Sequence, residues 1–255
     1  MASEFLDNPA GRLRRLLLDL HAAHGGRGEQ ISAWHLWTEV LNPDGGIDDV
    51  ETWTRFLAVL QLPGRIRTAV EGLGLDEDEQ EHLLEHLDRV ERGLAQATHR
   101  HPALHNFAQF APAGDIPNSA AVQSLQTCSR ALHRLAGEAM ASEEDLRRIS
   151  QVVAELMEEV LGSELDSDLK GLLLTHLRAV QEAVQNARVS GQRPIEEATD
   201  ALVGALRRRP SLLTRLAGAA GWLPRVKETV DTVNTVLGME EQARELTHRV
   251  LELTG

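Results

Sequence analysis

Apolar residues recur at spacings of three and four along nearly the whole chain, and no run of residues alternates apolar with polar. The first pattern lines one side of a helix and the second is what a half-buried strand requires, so the sequence predicts an all-α protein. The Gly, Pro and capping residues between the apolar stretches divide it into about ten helices of a multi-helix bundle. The 255 residues suffice for one large domain or two small ones, at roughly 150 residues per domain.

The first helix opens at Asn8 with Pro9 in its first position, carries Leu13, Leu16, Leu17 and Leu20, and stops at Gly25 and Gly26. A second presents Ile31, Trp34, Trp37 and Leu41. Asp48 with Glu51 has the spacing of a capping box and starts a third, displaying Val50, Trp53, Leu57 and Leu60. Trp34, Trp37 and Trp53, at this spacing, read as core rather than as the wall of a ligand pocket. Pro63 and Gly64 are expected to end that helix, and a short one with Ile66, Ala69, Val70 and Leu73 follows. An acidic helix runs from Asp76 to Glu91 as a solvated surface or one that faces a basic partner. The stretch from Arg100 to Asn118 holds Pro102, Pro112, Gly114 and Pro117 and reads as a linker or irregular loop, giving an N-terminal helical half over 1–111 and a C-terminal half over 119–255. Helices then start at Asn118 or Ser119 and at Ser142, and later ones cover 166–188, 194–208, 211–222, 225–237 and 239–253.

Residues 70–90 align without gaps on residues 160–180. Val70, Gly72, Leu75, Asp76 and Asp78 match Val160, Gly162, Leu165, Asp166 and Asp168, and Leu83, Leu84, His86, Leu87 and Val90 match Leu173, Leu174, His176, Leu177 and Val180. Composition would supply roughly two such identities in a window of this length. The matched residues have physical roles in common: a Gly that ends a helix, an Asp that caps the next, and a buried stripe. The pattern predicts a duplicated helical hairpin.

A net charge of −13 opposes DNA binding, which needs clustered Lys and Arg. The local basic groups, Arg12 with Arg14 and Arg15 and Arg207 to Arg209, have ordinary helix explanations, the second as cations at a helix C-terminus. The lone Cys128 permits no intramolecular disulfide and sits on an apolar stripe with Leu125, Leu132 and Leu135. Arg greatly outnumbers Lys, present only at 170 and 227, which suggests a GC-rich bacterium. The first residues show neither a basic flank before an apolar run nor a cleavage site, and no stretch reaches the roughly 20 apolar residues that cross a bilayer. The expected compartment is the cytoplasm.

His82, Glu85 and His86 spell H-x-x-E-H, a pattern that resembles the zinc site of the inverzincin metalloproteases. The repeat argues for packing instead, because His176 matches His86 while Leu172 and Thr175 replace His82 and Glu85; no metal or other cofactor is expected. Arg100 and His105 are similar to the R-x4-6-H motif of the HEPN ribonucleases. That resemblance implies an all-helical enzyme in which Arg100 binds phosphate and His105 assists attack by the ribose 2′ hydroxyl, with RNA as its substrate.

From Ser211 to Pro224 the chain is mostly apolar, and Val226, Val230, Val233 and Leu237 then recur every three or four residues. A narrow β-branched seam suits pairing with another helix. The expected function is a non-enzymatic protein–protein interaction or oligomerisation module whose docking seam comprises Leu216, Trp222, Val226, Val230, Val233 and Leu237, its partner another protein or a second copy. The alternatives are the RNA-cleaving enzyme using Arg100 and His105 and a membrane-active effector using residues 211–237.

Overall fold

The computed structural model describes residues 5–27, 30–42, 49–97, 102–112, 114–138, 140–219 and 221–238. It is an all-α multi-helix fold: among the described residues no strand forms, and Ser32 meets Pro102 in an isolated bridge. The chain divides into two compact units, one of Met1–Glu138 with Arg188–Gly191 and one of Ala139–Ala187 with Gln192–Gly255.

In the first unit α1 (Pro9–His24) packs against α2 (Ala33–Leu41), α3 (Asp49–Glu71) and α7 (Ala120–Ala136), with α4 (Glu77–Leu84), α5 (Leu87–Gln96) and the short α6 (Ala103–Phe107) completing the set. Helix α1 begins where the sequence places it, Asn8 Oδ1 accepting from the Gly11 amide at 2.9 Å. The Asn8 amide also donates to the Ser129 carbonyl at 3.1 Å, so the same cap fastens α1 to α7. Gly11 is required at this junction: a Cβ there would lie 1.6 Å from the Phe5 carbonyl oxygen. Arg12 is 3% exposed and pairs with Glu138 at 2.8 Å, so it offers no basic patch.

Helix α3 runs unbroken through Pro63 and Gly64, where the sequence predicts an end. Proline removes one backbone donor and crowds the preceding turn, but Leu62 and Ile66 on either side are buried in the core and hold the helix together. The Pro-rich stretch is likewise no linker. Phe107, Phe110, Ala111 and Ile116 are all buried in the core of the first unit, as are Val122, Leu125, Cys128 and Leu132 of α7. The division of the chain therefore falls after Glu138, beyond the stretch that composition marks as the boundary. Residues 188–191 belong to the first unit too: Arg188 pairs with Asp19 and Val189 is buried in its core.

The second unit contains α8 (Glu143–Gly162), α9 (Ser167–Gln185), α11 (Arg193–Arg207), α12 (Pro210–Gly218) and α13 (Trp222–Val236), while the four-residue α10 (Ala187–Ser190) lies, apart from Ala187, in the first unit. Helix α9 packs on α8 and α11, and α13 on α8. Ser142 and Asp145 form the capping box that starts α8. Asp166 accepts from the Leu169 amide at 3.1 Å at the start of α9, just as Asp76 accepts from the Glu79 amide at 2.8 Å at the start of α4. The helix after Asp76 breaks at Glu85 and His86, whereas the helix after Asp166 continues without interruption.

Candidate functional site

Burial in the first unit takes one side of α3: Thr52, Phe56, Val59, Leu62, Ile66 and Val70 are each 1% exposed or less. The opposite side, between Val50 and Thr68, exposes Val50, Trp53, Thr54, Leu57, Gln61, Gly64 and Thr68 without a single charge. Val50 is 72% exposed, Leu57 53% and Trp53 40%. In a chain that is 25% charged, a solvent-facing helix stripe would ordinarily carry several ions.

Between Val50 and Thr68 the face is uncharged because Arg55, Arg65 and Arg67 are turned to neighbouring elements. Arg55 donates to the Leu41 carbonyl at 2.6 Å and pairs with Glu51 at 3.0 Å. Arg65 donates to the Ser190 carbonyl at 2.9 Å. Arg67 bridges Glu91 at 2.6 Å and Asp88 at 2.7 Å, and hydrogen bonds to these carboxylates raise its pKa above the ordinary guanidinium value. Asn42 donates to Thr52 Oγ1 at 2.7 Å, fixing the end of α2 against α3.

The aromatic part of the face is anchored in the core. Trp53 stacks on Trp34 of α2 with ring centroids 4.2 Å apart and planes 28° from parallel. Trp34 meets Phe56 edge-on at 5.6 Å, and Phe56 meets Trp37 at 5.2 Å. Trp37 is core, as its spacing predicts; Trp34 is half-buried and Trp53 exposed, against the same expectation. Elsewhere on α2, Glu39 accepts from Arg27 at 2.7 Å and lies 3.2 Å from His35. The Arg27 hydrogen bond, opposed by burial, holds the Glu39 carboxyl below its usual range. A rigid aromatic centre beside a polar rim is the anatomy of a contact surface. Among the described residues the face between Val50 and Thr68 carries no charged or metal-binding side chain.

The docking seam expected near the C-terminus is turned inward. Leu216, Val226, Val230, Val233 and Leu237 lie in the core of the second unit, and Trp222 is half-buried against it. The outward residues of α13 are charged instead: Arg225 pairs with Glu159 and Glu228, and Lys227 lies 4.0 Å from Asp231. Among the described residues no helix is long and apolar enough to cross a membrane.

His105 is exposed on α6, a helix of only five residues, while Arg100 lies outside the described residues. His82 lies in the last turn of α4 and His86 sits at the break before α5, so the H-x-x-E-H spelling does not occupy one continuous helix. His86 Nε2 is 3.8 Å from Glu85, and among the described residues no group of three His, Cys, Asp or Glu is arranged to hold a metal ion. His176, its counterpart on α9, has its pKa lowered by burial first and then by Arg208 and Arg209. Burial pushes the Cys128 thiol up to about 12, which leaves it inert. The capping pair Asp48 and Glu51 has its first member outside the described residues, as does the expected helix over 239–253.

Comparison with protein-family models, with curated proteins and with solved structures finds no match to this chain.

Proposed function

We propose that the chain is a non-enzymatic helical protein–protein interaction module and that it docks through the uncharged face of α3 with Trp34, in place of the C-terminal seam. The observation that carries this reading is the exposure of Val50, Trp53 and Leu57 on a helix whose Arg55, Arg65 and Arg67 are engaged elsewhere. An exposed apolar stripe costs solubility unless it is covered part of the time. Trp53 is held by stacking, so it loses little freedom on binding. The expected setting, a bacterial cytoplasm, rests on the arginine-rich composition and on the one cysteine being a free thiol.

A photo-crosslinking side chain placed at Leu57 tests the reading in the producing cell, with the same group at the exposed Glu155 as control. The expected result is a discrete protein adduct from position 57 and none from position 155. No adduct from position 57, or equal adducts from both, removes it.

We also read the two Asp-capped hairpins as copies of one ancestral unit. In support, Val70 and Val160 are both 0% exposed, and Leu87 and Val90 are buried like Leu177 and Val180. An experimental structure in which the Cα traces of 70–84 and 160–174 fail to superimpose would overturn it.

A further inference from the structure

The exposed stripe of α3 changes chemistry along its length. Its first half holds Val50, Trp53 and Leu57 with the small Thr54, its second holds the neutral Gln61, Gly64 and Thr68, and it ends at Glu71, exposed in the same register. Position 71 lies 14 residues past Leu57, about 21 Å at 1.5 Å per residue. The acidity at that end extends beyond Glu71. Arg67, on the flank of the stripe, is shared between Asp88 at 2.7 Å and Glu91 at 2.6 Å, two carboxylates on one cation. Helix α4 follows directly, with Glu77, Asp78 and Glu79 exposed in its first turn. From Glu71 to Arg92 the sequence holds nine Asp and Glu against Arg89 and Arg92.

An apolar end joined to an acidic end selects among occupants. Anionic lipid headgroups, nucleic-acid phosphates and a second chain of net charge −13 would each bring negative charge against Glu71 and the carboxylates beyond it. A cationic polypeptide brings the opposite charge there, while its apolar side chains cover Val50, Trp53 and Leu57. Resting on the interaction reading above, we propose that the occupant of this face is a basic amphipathic segment of another protein. Its apolar residues lie on the first half of α3 and its Lys or Arg side chains on Glu71 and the acidic residues that follow. In a helical segment the basic cluster then stands about four turns from the apolar anchors, which spans the 14 residues from Leu57 to Glu71.

The probes are synthetic helices of about 22 residues, long enough to reach from Val50 to Glu71. One half carries Leu at three- and four-residue spacing, and the other carries Lys in one peptide and Glu in its twin, each made in both chain directions. Fluorescence anisotropy follows the labelled peptides against the full chain from about 1 to 200 μM, a range that brackets micromolar affinity, with helicity checked by circular dichroism. The Lys peptide is expected to bind, the Glu twin not, and added salt to weaken the binding by screening it. Glu71→Lys should weaken binding at least about fivefold, and Leu57→Ser by a similar factor. Glu155→Lys, the same change of net charge at an exposed position of α8, should alter it less than about twofold. Failure of the Lys peptide to bind in either direction, equal binding of its Glu twin, or binding indifferent to salt overturns the proposal. So does a Glu71→Lys effect no larger than that of Glu155→Lys, or a Leu57→Ser chain that binds normally. If the peptides fail while the position-57 cross-link captures a discrete protein, only the basic partner is overturned; with no cross-link, the interaction reading falls as well.

Discussion

Helices α3 and α13 carry the same raw pattern, apolar residues every three or four positions, and the fold uses them in opposite ways. On α13 the pattern is a single stripe, and Val226, Val230, Val233 and Leu237 are consumed by the core of their own unit. The far side is charged and laced with ion pairs to Glu159, Glu228 and Asp231. On α3 there are two stripes. Phe56, Val59, Leu62 and Ile66 fill the core, while Val50, Trp53 and Leu57 stay outside. An apolar seam is thus no evidence of an interface until the core has taken its share; the informative stripe is the one left over.

Four expected outcomes sharpen or break this contrast. The largest is Val233→Asp, which puts a charge at a position 1% exposed; it should cost more than about 4 kcal/mol and abolish most helicity of the second unit. A urea titration that shows a loss below about 1 kcal/mol would mean the α13 seam is free to dock after all. Next is Phe56→Ala, which removes the ring joining Trp34 to Trp37. It should cost about 3 to 4 kcal/mol by the same titration and raise the acrylamide quenching of tryptophan fluorescence. Arg55→Ala strips the Leu41 carbonyl and Asn42 of a half-buried donor, a loss of about 1 to 2 kcal/mol that tests whether α3 keeps its charge turned inward. Leu57→Glu, on the exposed stripe, should change monomer stability by no more than about 0.5 kcal/mol; a much larger loss would place Leu57 in the core.

The last expectation concerns pH. Burial, with Arg208 and Arg209 nearby, depresses the His176 pKa in the folded chain. The unfolded chain, titrating near the ordinary value of about 6.5, therefore takes up its proton first as pH falls. Stability from this residue is complete above that value and declines below it, levelling off once the folded form is protonated as well. Urea midpoints of the wild type should fall between pH 7.5 and pH 5.5 by more than those of His176→Gln. Equal falls would show that the ring is solvated.

The helix caps were legible because they are local. Asn8, Ser119, Ser142 and Asp166 each accept from an amide three residues on, an interaction complete within one turn. The length of α3 was not, because Pro63 is a local stop signal that the burial of Leu62 and Ile66 overrides. The candidate site was half legible. Val50, Trp53, Leu57 and Leu60 stand out by spacing as a helical face, but spacing alone cannot distinguish that face from the Phe56, Val59 and Ile66 face beside it. A usable signal was present in the positions of charge: from Val50 to Thr68 the ions are confined to Glu51, Arg55, Arg65 and Arg67, none of which falls on the exposed stripe.

Periodicity and capping chemistry act over a few residues, so the order of amino acids alone was enough to make this chain helical and to start its helices at defined residues. Which apolar stripe is buried depends on partners far away in sequence, such as Asn8 on Ser129 and Arg65 on the Ser190 carbonyl. Only the tertiary structure could therefore decide that α13 spends its stripe on the core and α3 keeps a second one in reserve.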